Sequence, residues 1–285
     1  MSSPAHSIGT VYEFRRKAYD LGARTHIMGV LNVTPDSFSD GGRYLSVGDA
    51  VGRGIAMVEE GADFLDIGGE SSRPGSDPIS VDEELRRILP VIERLTKAVS
   101  IPISVDTYKA EVARRALEAG ASLVNDISSL TMDPMMRDVV VERGEGVVLM
   151  HMRGIPKTMQ ERPHYDNVVA EIKSFLEKQA TLARKAGIRQ VIIDPGIGFG
   201  KTLEHNLEIL KKLKEFCELG YPVLVGPSRK SFIGTILDLP PTQRLEGTAA
   251  AVAVSAMNGA SIVRVHDVRE MVRVVKIVDA IRRHA

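Results

Sequence analysis

Of 285 residues only one is a cysteine, Cys217. That excludes an internal disulfide framework and suits a reducing compartment, the cytoplasm. Cys217 sits in the helical-looking segment Leu213-Lys214-Glu215-Phe216-Cys217, where packing accounts for it better than nucleophilic chemistry. Net charge is also missing: Lys+Arg and Asp+Glu both number 37. No overall field draws the chain to nucleic acid or to an anionic membrane, so any bound anion must be gathered by a local cluster. No apolar run approaches the ~18 residues of a membrane span, and residues 1–24 contain no apolar signal core. A soluble protein is expected. Gly198-Phe199-Gly200-Lys201 lacks the Walker spacing of a phosphate loop. No Ser/His/Asp or Cys/His set is evident that would form a covalent intermediate. Aromatic residues are scarce at 5%, so Phe38 and Phe199, both on loops, stand out as a candidate ring-binding face.

What is present is a repeated grammar: an apolar run that closes on a polar residue. It is clearest in Val191-Ile192-Ile193-Asp194-Pro195-Gly196-Ile197-Gly198-Phe199-Gly200-Lys201. Three β-branched residues read as a strand buried on both faces, and Pro and Gly then stop it, leaving Asp194 at the strand's mouth. The same pattern predicts strands at residues 26–32, 63–69, 101–106, 122–126, 147–151, 191–194, 223–225 and 261–266. Helical stretches are expected at 47–60, 81–98, 111–118, 135–142, 168–186, 203–219, 248–257 and from 267 to about 283. Gly61, Gly120, Gly187 and Gly259 fall where a helix C-cap needs a left-handed residue.

Eight strands alternating with helices force parallel pairing with right-handed crossovers. The count and length are those of an α/β fold of the (β/α)₈ TIM barrel type, in a single domain over residues 26–285. Residues 1–25 are expected to form an N-terminal extension capping one barrel end. An open doubly wound sheet competes, but the first βα turn lacks the glycine fingerprint that would favour it. The 44% hydrophobic content suffices for the core, and no linker marks a second domain.

In such a barrel the C-terminal strand ends share one mouth. Asn32, Asp106, Asn125, Asp194, Lys230, Arg264 and His266 therefore converge. Singly, each has a bland reading as a turn residue or strand cap; jointly, so many polar groups facing one cavity are costly unless something is bound. Asp106, Asn125 and Asp194 suit the donor–acceptor edge of a flat heterocycle, and Lys230 adds a donor. Arg264 and His266, two apart on one strand, can hold an anion with Asn32, and a side-chain amide can ligate Mg²⁺ beside substrate phosphates. The loops 33–46 and 68–80 are long enough to be lids. Arg73 in the second is evenly balanced between a solvated charge and part of a lid. His151 reads as a structural histidine.

The motifs Asn32-Val33-Thr34-Pro35-Asp36-Ser37-Phe38-Ser39-Asp40-Gly41-Gly42, Gly69-Glu70-Ser71-Ser72-Arg73-Pro74-Gly75, Ser104-Val105-Asp106-Thr107, Asn125-Asp126-Ile127, the Asp194 segment above, Ser228-Arg229-Lys230-Ser231 and Arg264-Val265-His266 together resemble the dihydropteroate synthase family of folate biosynthesis. The resemblance runs from about residue 26 to the C-terminus, with Ser72 where many members carry Thr. It implies condensation of 6-hydroxymethyl-7,8-dihydropterin diphosphate with p-aminobenzoate to dihydropteroate and pyrophosphate. By the same resemblance Asp106, Asn125, Ile127, Met150, Asp194, Lys230 and Arg264 bind the pterin. Asn32, Arg264 and His266 take the diphosphate, with Asn32 the Mg²⁺ ligand. Phe38, Ser72, Arg73, Pro74, Phe199 and Ser231 take p-aminobenzoate, and Asp106, Lys230 and Arg73 are the catalytic candidates. The apolar residues of the final helices, Val252, Val254, Met257, Met271, Val275 and Val278, suit either covering the barrel or pairing with another copy, and the resemblance implies a homodimer through these helices.

The residue types point to a dissociative, S_N1-like substitution: cations and metal for the departing pyrophosphate, and Asp106 for a developing pterin cation. Two alternatives share the pocket, a pterin-binding paralogue without turnover and a methyltetrahydrofolate methyltransferase. A sugar-phosphate aldolase would want its lysine inside a strand end, whereas Lys230 follows the seventh strand.

Overall fold

The computed structural model describes residues 10–34 and 46–284. It opens with an antiparallel hairpin, β1 (Val11–Phe14) and β2 (Lys17–Asp20). The rest alternates: β3 (His26–Asn32), α1 (Val47–Glu59), β4 (Phe64–Gly68), α2 (Val81–Ala98), β5 (Ile103–Asp106), α3 (Ala110–Glu118), β6 (Leu123–Asp126), α4 (Met136–Arg143), β7 (Gly146–Met150), α5 (Val168–Lys185), β8 (Val191–Asp194), α6 (Leu203–Lys211), α7 (Lys214–Cys217), β9 (Leu224–Val225), α8 (Ser231–Leu237), α9 (Leu245–Met257), β10 (Ile262–Val265) and α10 (Val268–Arg283). Parallel pairing runs β8-β7-β6-β5-β4-β3-β10-β9, and a parallel bridge from Ile193 to Val223 joins the two ends. The expected (β/α)₈ barrel is present.

The strands look uniformly apolar because both their faces are covered. Alternation persists inside them all the same. Val191 and Ile193 of β8 pack outward with the helices, while Ile192 points into the barrel beside Leu123, Val148, Leu224 and Ile262. Helices supply the outer partners in helical register. α2, capped by Ser80 accepting from the Glu83 N–H at 3.2 Å, buries Ile88, Val91, Ile92 and Leu95 on one stripe. The helix-to-strand glycines behave as their positions predict: Gly61, Gly120, Gly187 and Gly259 have φ of 106°, 105°, 107° and 98°.

The hairpin lies across the N-terminal strand ends. Tyr12 and Phe14 join the inner cluster with Met28 and Phe64, and the Tyr12 hydroxyl donates to Val191 O at 2.8 Å. The Arg15 guanidinium donates to the carbonyls of Thr96, Val99 and Ile101, at 2.9, 2.7 and 3.1 Å, satisfying the chain where α2 ends.

Two expectations needed revision. The single helix expected over 203–219 is broken at Lys212 (φ −101°, ψ 20°), and the turn lets both Leu213 and Phe216 bury completely. α8 was not among the expected helices, and Gly234 sits inside it. A side chain there would collide with the Arg244 guanidinium, which donates to Leu239 O (2.9 Å) and Arg229 O (3.0 Å), so packing outweighs helix propensity. Of the apolar residues of the final helices that suit either covering the barrel or pairing with another copy, Val252, Met271, Val275 and Val278 are buried in the chain's own core. Val254 and Met257 are exposed, and Ile277 and Ile281 of α10 are exposed as well. Cys217 is half-buried, its Sγ 3.4 Å from Gly259 O, and burial raises its thiol pKa; its role is packing. Among the described residues no helix is long and apolar enough to cross a membrane.

Candidate active site

The barrel strands bring several polar residues to the same mouth, where a cleft with about 330 Å³ of open space is lined by Ser72, Asp106, Asn125, Ile127, Met150, Asp194, Ile197, Phe199, Gly226, Lys230 and Arg264. All seven residues expected at the heterocycle are there, with Ser72 and Phe199 of the amine set beside them. Asn32 and His266 stand at the rim. Asn32 Oδ1 and Asp106 Oδ2 are each 3.7 Å from the point where a Cβ on Gly68 would stand. Arg73 and Pro74 are exposed on the β4–α2 loop, and Ser231 is exposed at the start of α8, outside the cleft lining. Phe38 and most of the 33–46 loop lie outside the described residues.

At the centre is a residue the strand-end rule passed over. Asp66, fully buried in the middle of β4, accepts on one oxygen from Arg264 Nε at 2.6 Å and from Asn125 Nδ2 at 3.0 Å. Arg264 Nη2 donates to Asp106 Oδ2 at 2.6 Å, so one guanidinium spans two carboxylates. Because Asp66 takes the Asn125 amide hydrogen, the Asn125 Oδ1 is left as a buried acceptor with no partner among the described residues. A signal for Asp66 did exist: it lies two residues beyond inward-facing Phe64.

Electrostatics follow from burial. It pushes the Asp106 carboxyl up to about 7, against the pull of Arg264, and Asp194 up to about 6, against the Gly196 N–H that donates to its Oδ1 at 2.7 Å. Lys230 is drawn down to about 8 by burial and by Arg264, and its Nζ lies 4.1 Å from the Phe199 ring centroid. His266 falls to about 3, mainly through burial and then through Arg264, Arg229 and Lys230, so at neutral pH it is an uncharged imidazole. Its Nδ1 is 3.0 Å from Ser228 Oγ. An anion at this rim therefore meets hydrogen-bond donors and cations together.

The loops are held by a second polar set below the mouth. Lys109 Nζ donates to Glu70 Oε2 (2.6 Å), Glu84 Oε2 (2.7 Å) and Ile79 O (2.7 Å), and the Tyr108 hydroxyl donates to Glu70 Oε1 (2.7 Å). These bonds fix both ends of the 68–80 loop; at its tip the Arg73 carbonyl accepts from Ser76 Oγ (2.7 Å) and the Gly75 N–H donates to Pro156 O (3.0 Å), with Arg73 and Pro74 exposed. After β8, Gly196, Gly198 and Gly200 all have positive φ, and a side chain on Gly196 would strike the His151 carbonyl. Only glycine lets that turn lie flush against the end of β7. His151 itself is buried, edge-on to Phe175 at 5.0 Å between ring centroids, and its Nδ1 is bonded to Lys201.

Residues 28–266 match the model of a family described as pterin binding enzyme. The chain is 49% identical over 268 residues to a dihydropteroate synthase of Synechocystis, covering 93% of each chain. The Yersinia pestis dihydropteroate synthase, solved with a sulfonamide drug complex, superposes with a TM-score of 0.91 at 44% identity, covering 96% of this chain and 99% of that one. The Xanthomonas albilineans enzyme in complex with 7,8-dihydropteroate gives a TM-score of 0.86 at 44% identity, covering 95% and 98%. A closed barrel with this mouth, matched along nearly its whole length to such relatives, belongs to the pterin-binding enzyme family, among its dihydropteroate synthases.

Proposed function

We propose that this chain condenses 6-hydroxymethyl-7,8-dihydropterin diphosphate with p-aminobenzoate, releasing pyrophosphate and forming dihydropteroate. The observation that carries the reading is the unpartnered Asn125 Oδ1, buried between Asp106 and Asp194 in one cleft with Lys230. Three acceptors and one cation match the amino-pyrimidinone edge of a pterin, and a bound N–H group supplies the missing partner. Ile127, Met150 and Phe199 give the flat apolar walls, with Phe199 and Ser72 toward the amine side.

The diphosphate then lies toward Asn32, Arg264 and His266. No three His, Cys, Asp or Glu residues cluster as a metal site among the described residues. That fits Mg²⁺, which keeps most of its waters and is held by substrate phosphates with one or two protein oxygens. Asn32, whose amide oxygen sits across Gly68 from Asp106, is the residue to supply one. The metal would contribute charge neutralisation at the leaving group.

The protein's own residues do the rest. The Asp106 carboxylate faces the ring where positive charge develops as the C–O bond to the diphosphate breaks; neutral His266 and the Arg264 guanidinium donate toward the departing oxygens. The amine of p-aminobenzoate then forms the new C–N bond and loses its proton to solvent or pyrophosphate. Arg73, Pro74 and Ser231, exposed at the rim, take the carboxylate end, and the 68–80 loop closes over it. We place the enzyme in the cytoplasm and read the exposed Val254, Met257, Ile277 and Ile281 as a homodimer face. A Val254→Glu variant that still sediments as a dimer would count against that face.

The deciding assay is pyrophosphate release with Mg²⁺, with and without p-aminobenzoate, with the product identified. Dihydropteroate formation supports the synthase. Tight pterin binding with no release under either condition rejects it, and methyl transfer from methyltetrahydrofolate would identify the competing activity.

A further inference from the structure

One buried cation has no part in the chemistry above. Lys201 follows the glycine loop and is 3% exposed, yet no carboxylate hydrogen-bonds to it among the described residues. Its Nζ lies 2.9 Å from Phe199 O, 3.2 Å from His151 O and 3.1 Å from His151 Nδ1. Burial draws the lysine's pKa down to about 7, and in the protonated form these three acceptors use every proton of the ammonium group. Burial and the nearby cations push His151 down to about 2, so its ring is neutral and one nitrogen is free to accept. The ammonium therefore pins the end of β7 to the loop after β8.

That loop is clamped from both sides. Gly196 and Gly200 lie flush on the carbonyls of His151 and Arg153, where any side chain would collide. On the other side a Cβ on Gly198 would stand 3.1 Å from Lys230 Cδ, and the Phe199 ring lies against Lys230 Nζ. Further bonds hold the loop: the Gly198 N–H donates to Asn206 Oδ1 (2.7 Å), and the Tyr165 hydroxyl donates to Gly200 O (2.9 Å). None of them touches Phe199. The backbone contacts of Phe199 itself are its N–H to Gly196 O at 3.2 Å and its carbonyl to Lys201.

We propose that Lys201 is a positioning residue for the arylamine substrate: by holding the Phe199 carbonyl against His151 it sets the Phe199 ring, and with it the affinity for p-aminobenzoate. Of the pterin's own hydrogen-bonding groups, Asp106 and Asn125 stand on β5 and β6, away from this bolt, and Asp194 meets it through its main-chain carbonyl, which accepts from the His151 N–H at 2.9 Å, and through the charge of Lys201. The inference rests on the synthase reading, in which Phe199 walls the amine side of the cleft. Wild-type turnover tests that reading. The ratio of the two ligand affinities in a Lys201 variant tests this one.

Lys201→Met keeps the unbranched stem and removes the three donors. Its KM for p-aminobenzoate, from pyrophosphate release, and its Kd for the pterin diphosphate, from calorimetry, are measured well below its melting midpoint. The expected KM rise is about tenfold, with pterin affinity held within about threefold. In a Phe199→Leu background the same change adds little, because both act through one ring. An unchanged KM, or equal weakening of both ligands, overturns the proposal, the second result marking a merely structural lysine. Should Lys201→Met not fold, His151→Leu removes one of the three acceptors and leaves Lys201 in place. There the KM for the amine rises about threefold, and a flat KM is equally damaging.

Discussion

The two ends of this barrel are built from the same strands, two residues apart. At the N-terminal end Phe64, Leu123, Val148, Ile192, Leu224 and Ile262 fill the interior, sealed by Tyr12 and Phe14 of the hairpin. Two residues further along each of those strands stand Asp66, Asn125, Met150, Asp194, Gly226 and Arg264, five of which line the cleft and the sixth of which holds it together. The strand period of two puts both sets on the inner face, one layer above the other. The lower layer excludes water and stabilises the fold. The upper layer buries charge, which costs free energy until a ligand partners it. Stability and chemistry are thus separated by about 7 Å along one strand.

That separation can be broken deliberately. The largest effect is expected from Phe64→Ala in the lower layer. Phe64 is fully buried and makes an edge-to-face contact with Phe14 at 5.6 Å between centroids, so its loss costs about 3–5 kcal/mol in denaturant titrations. Turnover per folded molecule stays at the wild-type value. A fall in kcat measured well below the melting transition would show that the two layers are mechanically coupled after all. Asp106→Asn is the converse change. It keeps shape and hydrogen bonding to Arg264 but removes the charge facing the pterin, and pyrophosphate release drops by roughly 10²–10³ with little loss of stability. Wild-type release and condensation rates in this variant would remove Asp106 from the mechanism.

The lower layer and the barrel were legible because they are written in local rules. Apolar runs bounded by Gly and Pro mark the strands, and a glycine at each of four helix ends fixes the turn into the next strand. The cleft was legible where a polar residue ends a strand, as at Asp106, Asn125, Asp194 and Arg264. It was not legible where the functional group sits inside a strand or acts through another residue. Asp66 looks like an interruption in Phe64-Leu65-Asp66-Ile67 until three-dimensional pairing brings Asn125 and Arg264 to it, 59 and 198 residues away. Lys201 reads as a loop charge, and only the fold shows it buried against a histidine 50 residues earlier. α8 was not foreseen, and in it Gly234 is required by the packing of Arg244, 10 residues away, a contact no local pattern shows.

The subtlest test of the comparison is pH. Asp194, deep in the upper layer, has its carboxyl raised by burial from 3.8 to about 6. Between about pH 4 and 6 the folded chain therefore holds a proton that the unfolded chain releases. Stability from this group is fully present below pH 4 and is lost as pH rises through 6. Asp194→Asn has no such proton, so its stability relative to wild type should climb with pH across that window, by roughly 1–3 kcal/mol in all, and then level off. His151 and His266, whose pKa values are lowered, trend the opposite way as pH approaches 6.5, but they occur in both proteins and drop out of the difference. Denaturant midpoints at pH 4, 5, 6 and 7 measure it, and a flat difference would mean that Asp194 is solvated rather than desolvated. Pterin ligand sharpens the result. If its N–H groups bind the ionised carboxylate, binding must favour the proton-free form, so ligand affinity for the wild type should weaken as pH falls below about 6, the same proton now opposing the ligand instead of supporting the empty fold.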